Sequence, residues 1–183
     1  ANPCKDSMVS FIGLVNSGNV LQWNWSLGNG ILAGGDTILL SYDSVGMYGV
    51  CMSVLTDIGC RDTVCDSISV YPNPSVNVEA DTQSGCTPLD VQFTSNTLDS
   101  NLTYFWDFGD GEFSASAMPL HQFNQPGFYN IEFEAVNIFG CSFKTTYNNW
   151  IQSYPVPVSA FKVDKSTMKV TNAMVEYTDV SFG

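Results

Sequence analysis

The sequence predicts an all-β protein made of β-sandwiches in tandem, and three observations carry that prediction. First, apolar and polar residues alternate with a period of two. Tyr129, Ile131, Phe133 and Ala135 interleave with Asn130, Glu132 and Glu134, so one face of the strand is buried and the other is wet. Second, no segment of useful length has the period of a helix, while Gly, Asn, Asp and Pro punctuate the chain at the spacing of strand turns. Third, the chain repeats itself. Trp25 and Trp106 are 81 residues apart, as are Gly46-Met47-Tyr48 and Gly127-Phe128-Tyr129, and Gly59-Cys60 and Gly140-Cys141. Cys4 and Cys86 are 82 apart, and Tyr71-Pro72-Asn73-Pro74 answers to Tyr154-Pro155-Val156-Pro157 at an offset of 83. Nearly constant spacing between five anchors is the mark of a repeat array.

In chain order, the first repeat opens at Cys4, and Ser7 to Leu14 reads as its first strand. Val20 to Trp25 is the next, followed by the turn Ser26-Leu27-Gly28-Asn29-Gly30. Thr37 to Tyr42 is a third, and Met47 to Leu55 and Thr63 to Val70 form a hairpin around Asp57-Ile58-Gly59. The second repeat adds a leading strand, Ser75 to Ala80, ahead of Cys86. Its main strands are Leu89 to Ser95, Thr103 to Phe108, Phe128 to Asn137 and Ser142 to Ile151. Pro157 to Phe161 and Ala173 to Thr178 read as the first two strands of a third repeat. The expected domains are therefore 1–72, 73–155 and an opening segment 156–183, and the chain reads as a piece of a longer array. The x-Pro-x-Pro segments are its stiff joints, because proline fixes φ and favours extended linkers.

The stretch Trp106-Asp107-Phe108-Gly109-Asp110-Gly111 is a strand running into a tight turn whose glycines supply positive φ. Together with His121-Gln122-Phe123, Pro126 to Ile131 and Asn137 to Cys141, it resembles the signature of the PKD domain over roughly Ser75 to Tyr154. That resemblance implies tandem Ig-like/PKD β-sandwiches. It makes Trp106, Asp107, Gly109, Asp110 and Gly111 structural residues, with Trp25 the counterpart of Trp106. It also implies work that is spacing, presentation and adhesion rather than catalysis.

Composition narrows the partners. Net charge is −12 with six Lys and Arg together, which argues against nucleic acid and anionic membrane. No apolar run is long enough to span a bilayer. The six cysteines form no CxxC and stand with one histidine, so zinc lacks its usual ligands. An even cysteine count in a Lys-poor, Asp/Ser/Thr-rich chain reads as disulfides in an oxidising, extracellular compartment. The simplest scheme is one bridge per repeat, Cys4–Cys60 and Cys86–Cys141, each closing a loop for about 4 kcal/mol. Cys51 and Cys65 face each other across their hairpin and make an external staple; an exchange of roles between Cys60 and Cys65 is the alternative.

Asp107 and Asp110 are a close carboxylate pair, but the turn has neither the ligand series of a calcium loop nor a second acid at a cleft. Asp110 is expected to accept backbone N–H bonds that hold the turn, with Asn29 doing the same in the first repeat. No cofactor is expected; the acidic surface leaves calcium at the joints open, without a recognisable site. His121 is expected to be packed or hydrogen-bonded, since no G-x-S-x-G elbow accompanies it. Trp25 and Trp106 are expected in the core and Trp23 facing inward, while Trp150, beside Asn148-Asn149, is the best exposed aromatic.

Ser7, Thr37, Ser44, Thr63 and Ser67 each follow Asp and precede an apolar residue. The pattern is similar to the O-glycosylation motif of Bacteroidota, whose exported proteins are rich in PKD repeats; alternating strands rich in Ser, Thr and Asp also produce such triplets. Three functions follow as expectations. The first is a stalk or adhesin segment of a cell-surface or secreted protein, exported by the type IX route, whose partners are neighbouring repeats and surface glycans or proteins. The second is a subunit of an extracellular filament in which copies join by strand addition. The third is an accessory binding module of a secreted hydrolase.

Overall fold

A computed structural model describes residues 3–163 and 177–180. Among them there is no helix, so none is long and apolar enough to cross a membrane. The strands are β1 (Met8–Ile12), β2 (Val20–Ser26), β3 (Leu32–Ala33), β4 (Thr37–Ser41), β5 (Gly46–Thr56), β6 (Arg61–Val70), β7 (Asn77–Ala80) and β8 (Ser84–Cys86). They continue with β9 (Leu89–Asn96), β10 (Thr103–Asp107), β11 (Phe113–Ser114), β12 (Leu120–Phe123), β13 (Gly127–Val136), β14 (Ser142–Tyr154), β15 (Phe161–Val163) and β16 (Tyr177–Asp179). Every main strand read from the sequence is present, with the short edge pieces β3, β8, β11 and β12 added.

The chain forms two compact units. Within the described residues, the first takes Ala1–Val76, Thr97–Thr103 and Glu134–Lys144, and the second takes Asn77–Asn96, Tyr104–Phe133 and Thr145–Gly183. In the first unit a four-stranded sheet, β3-β2-β5-β6, faces the two-stranded sheet β1-β4. Alternation along β5 points Val50, Met52 and Val54 inward, where they pack with Trp25 and Leu27. Phe11 of β1 closes on Trp25 with ring centroids 6.0 Å apart, and Trp23 is half-buried against the same cluster.

In the second unit β12-β9-β7 covers the sheet β11-β10-β13-β14-β8. Tyr129, Ile131 and Phe133 of β13 are buried as the period-two pattern requires. Phe93 of β9 meets Trp106 and Phe108, each with centroids 5.4 Å apart. Beyond them β15 pairs antiparallel with β16, Phe161 opposite Asp179. This repeats the antiparallel ladder of β7 on β9. The first of the expected third-repeat strands, Pro157 to Phe161, is displaced: residues 157–160 are described but form no strand, and the strand starts at Phe161. Residues 173–176 of the second lie outside the described residues.

The 81-residue offset is a physical repeat as well as a textual one. Trp25 Nε1 donates to Gly35 O and Trp106 Nε1 to Ser116 O, both at 2.9 Å. The Tyr48 hydroxyl donates to Ser44 O at 2.7 Å and that of Tyr129 to Gln125 O at 2.6 Å. Leu27 N donates to Ile31 O as Phe108 N donates to Glu112 O. Two sequences with little in common thus satisfy the same backbone groups with the same side-chain types.

Candidate functional site

The turn after β10 is held by its own carboxylates. Asp107 Oδ1 accepts from Gly109 N at 2.9 Å, and Asp110 Oδ1 accepts from Glu112 N at 3.1 Å. Asn29 Oδ1 accepts from Ile31 N at 3.1 Å, the same bond at the repeat-equivalent place. Asp110 has a second partner that the sequence did not disclose. His121 Nε2 lies 2.8 Å from Asp110 Oδ2, a hydrogen bond between the imidazole and the turn's carboxyl group. The imidazole is buried, stacked on Phe108 with centroids 4.0 Å apart and planes 4° apart, and meets the Phe123 ring edge-on. A ring stacked on one face, held by a second ring at right angles and bonded at one nitrogen is a strut between β12 and the turn. The stretch needs its glycine too. Gly109 has φ +77°, and a Cβ there would stand 2.5 Å from Asn130 O on the neighbouring strand.

Trp150 is not the exposed aromatic expected of it. It is half-buried, with ring centroids 4.3 Å from Tyr147 and 5.8 Å from Phe93. Its neighbours Asn148 and Asn149 are exposed, but Trp150 alternates inward onto β9.

The disulfides correct the one-bridge-per-repeat scheme. Cys4 pairs with Cys141, and Cys60 and Cys86 are unpaired and exposed. The reason is strand length. Cys4 bridges Tyr71, just past the end of β6, whereas Cys60 precedes the start of that ten-residue strand. At about 3.3 Å per residue the two are roughly 36 Å apart. Cys86 is likewise opposite Tyr154 at the end of β14, while Cys141 precedes its start. Cys141 reaches Cys4 because the 137–141 turn lies on the 71–72 segment. Phe139 stacks on Tyr71 with centroids 4.0 Å and planes 13° apart, and Asn137 Nδ2 donates to Pro72 O at 2.9 Å. All of these residues belong to the first unit. Cys51 and Cys65 are directly opposite in the β5–β6 ladder and are bonded.

One sheet edge of the first unit is open. In the second unit β9 has β12 on one side and β7 on the other, and β7 buries Val78. Its equivalent β1 pairs with β4 alone among the described residues. A groove of about 450 Å³ runs between β1 and β6, lined by Phe11, Leu14, Trp25, Met52, Val64 and Ile68 among others. Val64 and Leu14 remain well exposed there.

The candidate glycosylation residues divide. Thr37, Ser44, Thr63 and Ser67 are exposed, whereas Ser7 is half-buried and its hydroxyl donates to Cys4 O at 2.6 Å.

Residues 69–150 match the family model described as the PKD domain. Among solved structures, the chain is similar to the fibronectin(III)-like modules of CbhA from Clostridium thermocellum. The identity is 12%, 83% of this chain and 89% of that one are covered, and the TM-score is 0.44. It is also similar to the amphioxus IgVJ-C2 molecule at 9% identity, covering 82% and 100% with a TM-score of 0.38. A third similar structure is a Bacteroides ovatus protein of a mixed-linkage glucan utilization locus, in complex with a heptasaccharide. There the identity is 15%, the coverage 84% of this chain and 42% of that one, and the TM-score 0.34.

Proposed function

Residues 69–150 belong to the PKD domain family, and from that premise we propose that the chain is a non-catalytic structural segment of an extracellular repeat array. In this reading the modules are 1–72, 73–155 and the opening of a third at 156–183. The observation that carries it is the Cys4–Cys141 disulfide, which ties the first-strand cysteine of one repeat to the hairpin cysteine of the next. A covalent tie from repeat to repeat stiffens a series of domains and does nothing for a catalytic cleft. Two disulfides in a chain of this size point to an oxidising compartment outside the cytosol. The exposed Thr37, Ser44, Thr63 and Ser67 would carry glycans on that surface, and no cofactor is required. The partners are neighbouring modules and the glycans or proteins that the array meets at its far end. Negative-stain electron microscopy of the native full-length material tests the reading. Strings of beads with one bead per repeat support it, and compact single particles oppose it.

The open edge of β1 favours a second reading, in which a strand from elsewhere completes the first unit. A peptide of the sequence Ser75 to Ala80, the leading strand of the second repeat, is the probe. Binding that protects β1 amides from hydrogen exchange supports strand addition; an unchanged exchange pattern opposes it. The accessory-module reading loses Trp150 as its exposed aromatic but keeps the exposed, stacked pair Phe105–Phe113, with ring centroids 5.6 Å apart.

A further inference from the structure

Cys60 and Cys86 are exposed thiols, yet each occupies a position that is disulfide-bonded elsewhere in this same structure. Cys60 stands where the second repeat has Cys141, and Cys86 stands where the first has Cys4. The two bonded positions meet in one joint, and the surroundings of each half of that joint recur around the free cysteines.

The platform half comprises Cys4, Tyr71 and Pro72. Cys4 bridges Tyr71 in parallel fashion, and Lys5 N donates to Tyr71 O at 2.8 Å. At the end of β14, Cys86 pairs with Tyr154 in parallel fashion and Thr87 N donates to Tyr154 O at 2.8 Å, with Pro155 following. The Tyr71 ring is covered by Phe139, while the Tyr154 side of the second platform is exposed. The tip half comprises Phe139, Gly140 and Cys141. Asn137 N donates to Cys141 O and Gly140 N to Asn137 O, which closes the turn. Thr56 N donates to Cys60 O and Gly59 N to Thr56 O in the same way. Ile58 takes the place of Phe139 and is 80% exposed, an apolar side chain projecting from a hairpin beside a free thiol.

We propose that Cys60 and Cys86 are the two complementary halves of a further joint of the Cys4–Cys141 kind. Cys86, with Tyr154 and Pro155, takes the Gly-Cys hairpin tip of a following module of this repeat. Cys60, with Ile58, docks on the Cys-Tyr-Pro platform of a preceding one. The disulfide connectivity then runs from each module to the next rather than within modules. Because tip and platform are different surfaces, the interface is head-to-tail and extends without closing. Each bond forms as two thiols lose two protons and pass two electrons to a disulfide oxidant such as oxidised glutathione, which leaves as two thiols. The proposal deepens the array reading, which supplies the neighbouring modules; the joint itself rests on the repeat-equivalent contacts.

The chain carries both halves, so copies of it serve as the test. Two variants, Cys60→Ser and Cys86→Ser, are incubated separately and mixed in a buffer of reduced and oxidised glutathione. Non-reducing electrophoresis and mass spectrometry of the linked peptides give the readout. Docking is expected to make the mixture dimerise roughly tenfold faster than either variant alone, about the gain that partial burial of one isoleucine side chain supplies. The cross-link is expected between Cys86 of one partner and Cys60 of the other, and Ile58→Asp is expected to remove the advantage while leaving the folded spectrum unchanged. Equal dimerisation of the single variants would show surface thiols without a docking site. Glutathione-capped monomers in every sample would do the same. Either result overturns the joint, and strings of beads in micrographs of native material would still leave the array reading standing.

Discussion

Gly109 and Gly111 flank the same aspartate and have the same sign of φ, but their surroundings differ. At Gly109 a Cβ would meet Asn130 O at 2.5 Å, whereas at Gly111 it would meet nothing within 4 Å. Gly109→Ala is therefore expected to cost about 3 kcal/mol, strain and clash together, and Gly111→Ala about 1 kcal/mol of strain alone. Urea melts followed by tryptophan fluorescence distinguish them; equal losses would mean that the close approach to β13 does not matter. Two tyrosines set an alkaline limit. Burial, and then the neighbouring Tyr48, raises the Tyr42 phenol above its ordinary value of 10.0. Burial, and then Asp110, does the same to Tyr129. The folded state thus holds these protons more tightly than the unfolded chain does. Their contribution is whole below pH 10.0 and is lost as pH climbs past it. Thermal melts from pH 8.5 upward should show the melting temperature falling above that point. Tyr42→Phe should flatten the fall, because the substituted ring has no proton to lose; an unchanged slope would count against the assignment.

Among elements, legibility followed locality. The β13 pattern was readable because alternation is a property of the strand itself, and Tyr129, Ile131 and Phe133 are buried as it demands. The Asx turn at Asp110 and its twin at Asn29 were readable for the same reason, since donor and acceptor are two residues apart. Cys51–Cys65 followed from hairpin symmetry. What did not follow needed knowledge of how separate elements meet. Asp110 as the partner of His121 depends on where β12 passes the turn, and Cys4–Cys141 depends on where a hairpin tip lands. Counting residues along β6 already argues against Cys4–Cys60, a signal available once the strand is drawn at full length. Loop closure gives the bridges different weights. Their separations of 137 and 14 residues correspond to about 5 and about 3 kcal/mol in the chain-entropy account. The pair of Ala substitutions at Cys4 and Cys141 should lower the urea midpoint more than the pair at Cys51 and Cys65; the reverse order would assign the larger constraint to the hairpin. The open edge makes its own prediction: amides of β1 should exchange faster than those of β9, which is flanked on both sides.

For the whole molecule the decisive quantity is charge. A chain of net charge −12 repels its own copies, and the repulsion acts over about 10 Å at 0.1 M salt and about 3 Å at 1 M. The side chains named for the proposed joint are apolar and sulfur-bearing, Ile58 and Cys60 on one side and Cys86, Tyr154 and Pro155 on the other, and the charges that flank the tip, Asp57, Arg61 and Asp62, sum to one negative charge that adds to the repulsion. Salt therefore screens the opposing force without weakening the attraction. Head-to-tail coupling between Cys60 and Cys86 should become faster as ionic strength rises from about 0.01 M to 0.5 M. Charge-paired interfaces behave in the opposite way. Measuring the initial rate of dimer formation in the mixture of Cys60→Ser and Cys86→Ser across that range separates the two. A rate that falls with salt would mean that an attractive ion pair, absent from the contacts named here, brings the modules together. A rising rate would fit an acidic array whose surface keeps chains apart everywhere except at its module ends.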